Sequence, residues 1–335
     1  MKKIFIEDLM NHVNEPIVEV FYIMDLQKNY NRQGNSWISV RLADRTGEVT
    51  AKIWSEFEDA VYDSCVGKVC TVTGKVDCFN GVAGIAVVEI VPTAEGEYEP
   101  ADMAYCLSED LKSKFLDELD KMISCIKDKP LQALVSAIFK QNGAKMLLLP
   151  AGIVNHHAFN GALMVHTLEV TKLALAMADV NNEFCVAKEY AKYPIDRSLL
   201  VAGALLHDIG KIVEYRSFPE ASRTVRGRLV GHRDEAMNFI SCYNAKLPEE
   251  QQVKDTAELS HIVLSSHGMS CGVQPVTLEA IIVAQADAAS ASMDAYHSAF
   301  RQFDEKHLGN KSHFAYSNML DAKMYRREVP GCEEN

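Results

Sequence analysis

Two periodicities divide the chain. From residue 1 to about 92, apolar and polar positions alternate or fall in short apolar blocks between turn residues, which predicts strands. Ile17-Val18-Glu19-Val20-Phe21-Tyr22-Ile23 is the first. Trp37 to Leu42 alternates and stops at Ala43-Asp44-Arg45-Thr46-Gly47, and Glu48 to Trp54 completes a hairpin. Glu56 to Tyr62 reads as a short helix. Lys68 to Val76 and Gly84 to Val91 are two further strands joined around Asn80-Gly81. Pro92, Gly96 and Pro100, set among Glu95, Glu97, Glu99 and Asp102, then mark a linker.

Beyond the linker the spacing changes to three and four. Ser108 caps a helix that runs to about Lys127, and Pro130 opens the next. Ala162 to Ala178 carries the stripe Leu163, His166, Val170, Leu173, Met177. Ser198 caps Leu199 to Ile209, which ends at Gly210. Residues 214–233 are irregular and rich in arginine. Gly231-His232 starts a helix through Tyr243, Thr256 starts one ending at Ser266-His267-Gly268, and Thr277 caps a last one. Its stripe is Ala280, Val283, Ala284, Asp287 and Ala291. The expected layout is a β domain over residues 1–92, a linker over 93–107, an all-helical domain over 108–303 and a charged C-terminal tail over 304–335.

Five strands with turn signals in about ninety residues suggest a small closed barrel of the OB type. Such barrels hold single strands by stacking bases on aromatics and pairing phosphates with cations. Tyr30, Arg32, Trp37, Arg41, Lys52 and Trp54 are the candidates here. The competing reading places Trp37 and Trp54 in the barrel core. Arg223, Arg226 and Arg228, from the irregular segment, are further candidates for contact with nucleic acid.

Composition narrows the class. With 335 residues, 48% of them hydrophobic, the chain has material for a substantial core. A net charge of -12 argues against coating nucleic acid through bulk charge, though not against a local basic groove. The nine cysteines are odd in number and show no Cys-x-x-Cys spacing, which fits a reduced compartment better than a disulfide framework or a zinc ribbon. The N-terminus turns acidic too early for a signal peptide, and no apolar run reaches the length of a membrane span. The expectation is a cytoplasmic protein with no membrane association; a homo-oligomer is compatible with everything above.

The chemistry sits on apolar faces. His166, His207-Asp208 and Asp287 each point inward from a different helix, where burial without partners costs several kcal/mol. One divalent metal ion would satisfy all of them. A His and carboxylate set favours Mn, Fe, Co, Ni or Zn over calcium, with Mn²⁺ the leading expectation and Mg²⁺ also admissible. His232, His261 and His267 are candidates for a second metal. Two ions bridged by Asp208 would suit in-line displacement at phosphorus. Lys211 could set a fixed cation against phosphate charge, or simply answer the helix dipole.

These residues resemble the HD-domain metallophosphohydrolase signature, of which His207-Asp208-Ile209-Gly210-Lys211 is the most recognisable part. Residues 155–169, Gly203 to Asp208, Gly227 to His232 and the helix opening Thr277-Leu278-Glu279-Ala280 are similar, more closely, to the YhaM-type 3′→5′ exoribonucleases. That family also carries an OB barrel before its HD domain, so the resemblance spans roughly residues 10–300. It implies a metal-dependent hydrolase acting on single-stranded RNA or DNA from the 3′ end and releasing nucleoside 5′-monophosphates. It also implies catalytic roles for Asp208 and Lys211. One position departs: Ser266-His267-Gly268 stands where the family reads His-His-Gly. Two alternatives remain at this stage. One is an HD phosphohydrolase of free nucleotides or cyclic dinucleotides; the other is a non-catalytic RNA-binding protein with a decayed site.

Overall fold

The computed structural model describes residues 2–30, 36–54, 64–79, 81–94, 96–104, 106–152, 159–185, 194–217, 220–268, 272–306 and 313–327. Arg32, the short helix expected over 56–62 and the stretch Met269 to Cys271 lie outside them. The chain divides into two compact units. One comprises residues 1–107 with 217–222, the other 108–216 with 223–335.

The first unit is a closed five-stranded barrel. Its strands are β1 (Pro16–Tyr30), β2 (Ser36–Asp44), β3 (Gly47–Ile53), β4 (Val69–Phe79) and β5 (Val82–Pro92), arranged β1-β2-β3-β5-β4 with β4 returning to β1. The 15-residue β1 closes the ring because it pairs twice. Its first half faces β4, its second half faces β2, and a bulge between Ile23 and Asp25 marks the change of partner. β3 and β5 pair in parallel; the other neighbours are antiparallel. Alternation sends Phe21, Ile23, Val40, Leu42, Ala51, Ile53, Val72, Val76 and Ile85 into the core. A 3-10 helix, Ile6–His12, adds Leu9 to that core. Lys2 is buried beside it, 3.4 Å from Asp44 and over the Phe21 ring. Between β5 and the second unit lies a short helix, α1 (Pro100–Met103).

The second unit is helical: α2 (Glu109–Ser124), α3 (Lys129–Met146), α4 (Ala162–Cys185), α5 (Arg197–Leu206), α6 (Lys211–Glu214), α7 (Val225–Leu229), α8 (His232–Lys246), α9 (Ala257–Ser265) and α10 (Leu278–Lys306). α4, α5 and α10 pack on one another, with α9 against α5 and α10. α5 is buried at every position from Ser198 to Leu206, so it forms the centre of the bundle. Its cap is Asp196, which accepts from the Ser198 and Leu199 N–H groups. Ser198, expected as the cap, is buried and accepts instead from the Lys127 and Asp128 N–H groups, fixing the turn before α3.

Two further expectations change. Gly210 is not a left-handed helix terminator: its φ is -66°, and α6 begins directly after it. The region read as a charged tail carries structure. α10 continues to Lys306, and β6 (Phe314–Ser317) and β7 (Ala322–Tyr325) form an antiparallel hairpin whose Ala315 joins Ala299 and Phe300 of α10 in a small core. The alternation that marks it is only four residues per strand, too short to stand out among charged neighbours.

Candidate functional site

α4 delivers His166 from its first turns; α5 ends at Leu206, with His207 as its C-cap and Asp208 next. α8 begins at His232, α9 ends just before His267, and α10 supplies Asp287 from its interior. His166, His207 and Asp208 are buried, and Asp287 nearly so.

The six side chains form two clusters that share one carboxylate. In the first, the His166 and His207 Nε2 atoms are 3.3 Å apart, and each lies within 3.4 Å of Asp208 Oδ2. Asp287 Oδ1 is 3.1 Å from His166 Nε2. In the second, His232 and His267 Nε2 are 2.8 Å apart and both stand 3.7 Å from Asp208 Oδ1. The ligand-type atoms of each cluster lie close enough together to hold one ion.

The outer edges of the rings decide what the inner edges can do. His166 Nδ1 is 2.9 Å from Ser290 Oγ, whose single proton is given to Glu169 Oε2 at 2.7 Å. Ser290 therefore accepts, and His166 Nδ1 carries the hydrogen. His207 Nδ1 faces the Ala204 carbonyl at 2.7 Å, His232 Nδ1 the Glu214 carboxylate at 2.6 Å, and His267 Nδ1 Asp287 Oδ2 at 2.7 Å. Each partner can only accept. In the neutral form that metal binding requires, all four imidazoles thus turn an Nε2 lone pair inward, toward Asp208; without metal, Asp208 and Asp287 favour a proton on His166. Pairs of facing lone pairs around a carboxylate repel unless a cation lies among them.

Asp208 points the same way. Neither of its buried oxygens has a hydrogen bond of good geometry, although Lys211 Nζ approaches Oδ2 to 2.7 Å. Burial disfavours its charge, yet Lys211, His207 and His166 hold the carboxyl well below the usual aspartate range. Asp287 is likewise held low against its burial, chiefly by hydrogen bonds from His166 and His267. Two ionised carboxylates among four ring nitrogens make a donor set suited to a divalent transition-type ion and unsuited to calcium, which prefers all-oxygen ligation.

The remaining candidates fall differently. Lys211 is buried, with its ammonium on Asp208 and on the Ala151 carbonyl at 2.7 Å, so its charge is turned inward. His261 stands outside both clusters, because its Nε2 accepts the Val276 N–H at 3.0 Å. Ser266 is fully buried and bonds the Val263 carbonyl of its own helix. The second cluster therefore assembles from Asp208, His232 and His267 without position 266. Arg223 and Arg226 are half-exposed and anchored on buried acids, Arg223 Nε at 3.3 Å from Glu214 and Arg226 Nε at 2.6 Å from Glu235. Arg228 is exposed on α7.

On the barrel, Trp37, Lys52 and Trp54 share an outer face and neither tryptophan is core. Trp54 is 62% exposed and stacks on Trp37, ring centroids 5.8 Å apart. Lys52 Nζ lies 5.8 Å from the Trp37 ring centre and 5.6 Å from that of Phe79. Tyr30 is exposed at the end of β1, and Arg41 pairs with Glu48 at 3.0 Å.

Sequence reading passed over Phe79, Glu169, Glu214 and Ser290. Helical spacing held a signal for three of them. Glu169 and Ser290 each follow a ligand-type residue by three positions, and Glu214 follows Lys211 by three, so each lies one turn on from the site.

Comparison with known proteins agrees with this geometry. The HD domain family matches residues 163–292, a span that contains all six clustered side chains, and a helicase family, TraI_2, matches residues 97–217. Residues 163–292 of the helical unit thus match the HD domain, and an HD domain implies divalent metal binding. Over most of its length the chain is a relative of the 3′-5′ exoribonuclease YhaM. It is 27% identical to the Bacillus subtilis protein of that name over 292 residues, covering 85% of this chain and 88% of the relative. To the Listeria innocua protein it is 26% identical over 304 residues, covering 87% and 92%. Among solved structures, the second OB-fold domain of replication protein A from Methanococcus maripaludis is 23% identical, covers 26% of this chain and 90% of that one, and has a TM-score of 0.19. The barrel assignment rests on its own strand order. No described helix is long and apolar enough to cross a membrane.

Proposed function

We propose that this chain is a metal-dependent 3′-5′ exoribonuclease of the cytoplasm. In this reading the barrel, residues 1–92, holds single-stranded RNA, and the HD unit, residues 108–303, hydrolyses the terminal phosphodiester. Water adds across the terminal P–O3′ bond, leaving a 3′-hydroxyl on the shortened strand and a 5′-phosphate on the released nucleotide. The observation that carries it is the bridging arrangement of Asp208, each of whose oxygens faces its own pair of histidine Nε2 atoms.

His166, His207, Asp208 and Asp287 would hold one ion; His232, His267 and Asp208 would hold the second; Mn²⁺ suits both sets. Such ions supply Lewis acidity toward phosphoryl oxygens and lower the pKa of water into the neutral range. The protein's own groups do the rest. Lys211 keeps Asp208 ionised and fixes its plane. Glu214 and Glu235 hold the Arg223 and Arg226 guanidinium groups so that their outer N–H donors meet backbone phosphates. Trp37, Trp54 and Tyr30 stack bases, with Lys52 and Arg41 near the phosphates. The decayed-site alternative rested on Ser266, and the second cluster does not use that position.

The test is a 5′-labelled single-stranded RNA incubated with Mn²⁺, beside an Asp208→Ala control. A ladder shortening from the 3′ end, lost in the control, is the expected result. Hydrolysis of free nucleotides or cyclic dinucleotides without RNA degradation would overturn the reading, as would tight RNA binding with no hydrolysis at all.

A further inference from the structure

The C-terminal hairpin presents an outer face that nothing above uses. Its inner residues, Ala315, Ser317 and Met324, turn toward the bundle; Ala315 and Met324 pack with Ala299, Phe300 and Tyr296 of α10. Alternation then forces Phe314, Tyr316, Lys323 and Tyr325 onto the opposite side. Phe314 is 45% exposed, Tyr316 55% and Tyr325 53%. Three exposed aromatics thus share one face of two four-residue strands, the clustering that marks an interaction site.

The geometry of this face is specific. Phe314 and Tyr325 are cross-strand partners, with ring centroids 5.2 Å apart. Lys323 Nζ lies 4.9 Å above the Phe314 ring, and Tyr316 pairs with Lys323 across the strands. The Tyr316 hydroxyl is held by Asp321, and the Tyr296 hydroxyl bonds the Tyr325 carbonyl at 2.9 Å. The rings are thus held in place before any ligand arrives. Residues 313–327 contain Lys323, Arg326 and Arg327 against one acid, Asp321, in a chain whose net charge is -12; Arg326 lies over Phe300 of α10, which leaves Lys323 as the cation of the outer face. Aromatic rings interleaved with cations on a sheet face are the chemistry that stacks unpaired bases and neutralises the phosphates between them. A buried protein interface would favour depletion of lysine instead.

We propose that the outer face of the β6–β7 hairpin is a second base-stacking surface for single-stranded RNA, separate from the barrel. The proposal rests on the reading that RNA is the substrate. The hairpin packs on α10 near Phe300, and Asp287 lies on the same helix about 20 Å away along its axis. A strand engaged at the metal centre can therefore reach the hairpin within its own length, and the hairpin would favour longer substrates over short ones.

The experiment uses the full-length, Mn²⁺-loaded protein and a 5′-fluorescein single-stranded RNA of about 20 nucleotides, with phosphorothioates at its 3′ linkages to slow hydrolysis. Anisotropy gives the Kd. The Tyr316→Ala/Tyr325→Ala double variant is expected to weaken binding at least tenfold. Tyr316→Phe/Tyr325→Phe should restore it. Lys323→Gln should lower the slope of log K against log salt by about 0.7. Binding by the double alanine variant within twofold of wild type overturns the proposal. So does a wild-type oligomer, seen by sedimentation, that the double variant dissociates, because the face would then be a subunit interface. Hydrolysis of unmodified RNA by wild type is measured separately. Its absence would sink the nuclease reading while leaving the binding result to stand or fall by itself.

Discussion

Gly210 is the point at which a single added methyl group would press on α8, the helix that carries His232. A Cβ at this position would sit 1.8 Å from the His232 carbonyl oxygen and 2.9 Å from the Ala236 nitrogen. The backbone angle is ordinary for alanine, so the obstacle is space alone. Both obstructing atoms are backbone atoms of the first five residues of α8 and cannot rotate away. α8 must retreat by about 1.5–2 Å to restore normal contact. Overpacking of this kind costs about 1–3 kcal/mol. For a unit of this size each kcal/mol lowers Tm by about 2–4 °C.

The retreat has a direction, and direction makes Gly210→Ala diagnostic. It carries His232 away from His267, now 2.8 Å distant, and from Asp208 Oδ1, now 3.7 Å distant. His166 and Asp287 sit on α4 and α10 and need not move. The variant should lose its second metal equivalent and keep the first. Calorimetric titration of the metal-free protein with Mn²⁺ reads the stoichiometry directly, and RNA hydrolysis should fall by about a hundredfold for an ångström-scale misplacement. Two equivalents bound at wild-type affinity, with activity intact, would refute the reasoning.

Three other outcomes follow from the same geometry. Glu214→Gln removes the charged acceptor behind His232 Nδ1 and should weaken second-site Mn²⁺ binding about 10–100-fold while sparing the first, as read by the same titration. In metal-free protein, burial lowers the His166 pKa, but hydrogen bonds to Asp208 and Asp287 outweigh it and raise it to about 9 from 6.5. Cationic His166 therefore stabilises the metal-free fold fully below about pH 6.5 and ceases to do so as pH rises through 9. Metal-free Tm should decline across that window while Mn²⁺ affinity rises with proton release; a flat affinity from pH 6.5 to 9 would contradict it. Ser266→His, which installs the histidine that the resemblance implies, should lower Tm at a cost of about 1–3 kcal/mol without raising activity, because position 266 is fully buried and faces its own helix.

The barrel was legible because each strand is half-buried, so period-two alternation is strong from Ile17 to Val91. The double pairing of β1 was not, since one long strand and two short ones carry the same alternation. The bundle was legible from stripes, but its caps were less so. Asp196 and Ser198 are both good cap residues two positions apart, and only the packing of Ser198 against the start of α3 decides between them. The hairpin after α10 was missed for the opposite reason. Its inner face is small and its outer face aromatic, which inverts the usual pattern of a surface strand.

The inward-facing ligands were readable because a His or Asp on an apolar stripe is conspicuous by its cost. What the stripe cannot show is the other side of the ring. The lone pairs of His166, His207, His232 and His267 aim inward only because Ser290, a backbone carbonyl, Glu214 and Asp287 occupy their Nδ1 positions. Those partners come from three separate stretches of the chain, Ser290 and Asp287 lying one turn apart on α10, and Asp287 has two roles. Its Oδ1 faces His166 in the first cluster, while its Oδ2 orients His267 in the second. Asp208 touches both clusters directly and Asp287 touches the second through a ring, so no substitution at either residue can be confined to one ion. The glycine of the His-Asp-Ile-Gly-Lys motif belongs to the same logic. A side chain there would meet the backbone of α8 at His232, so the glycine lets α8 pass close enough to bring His232 to Asp208.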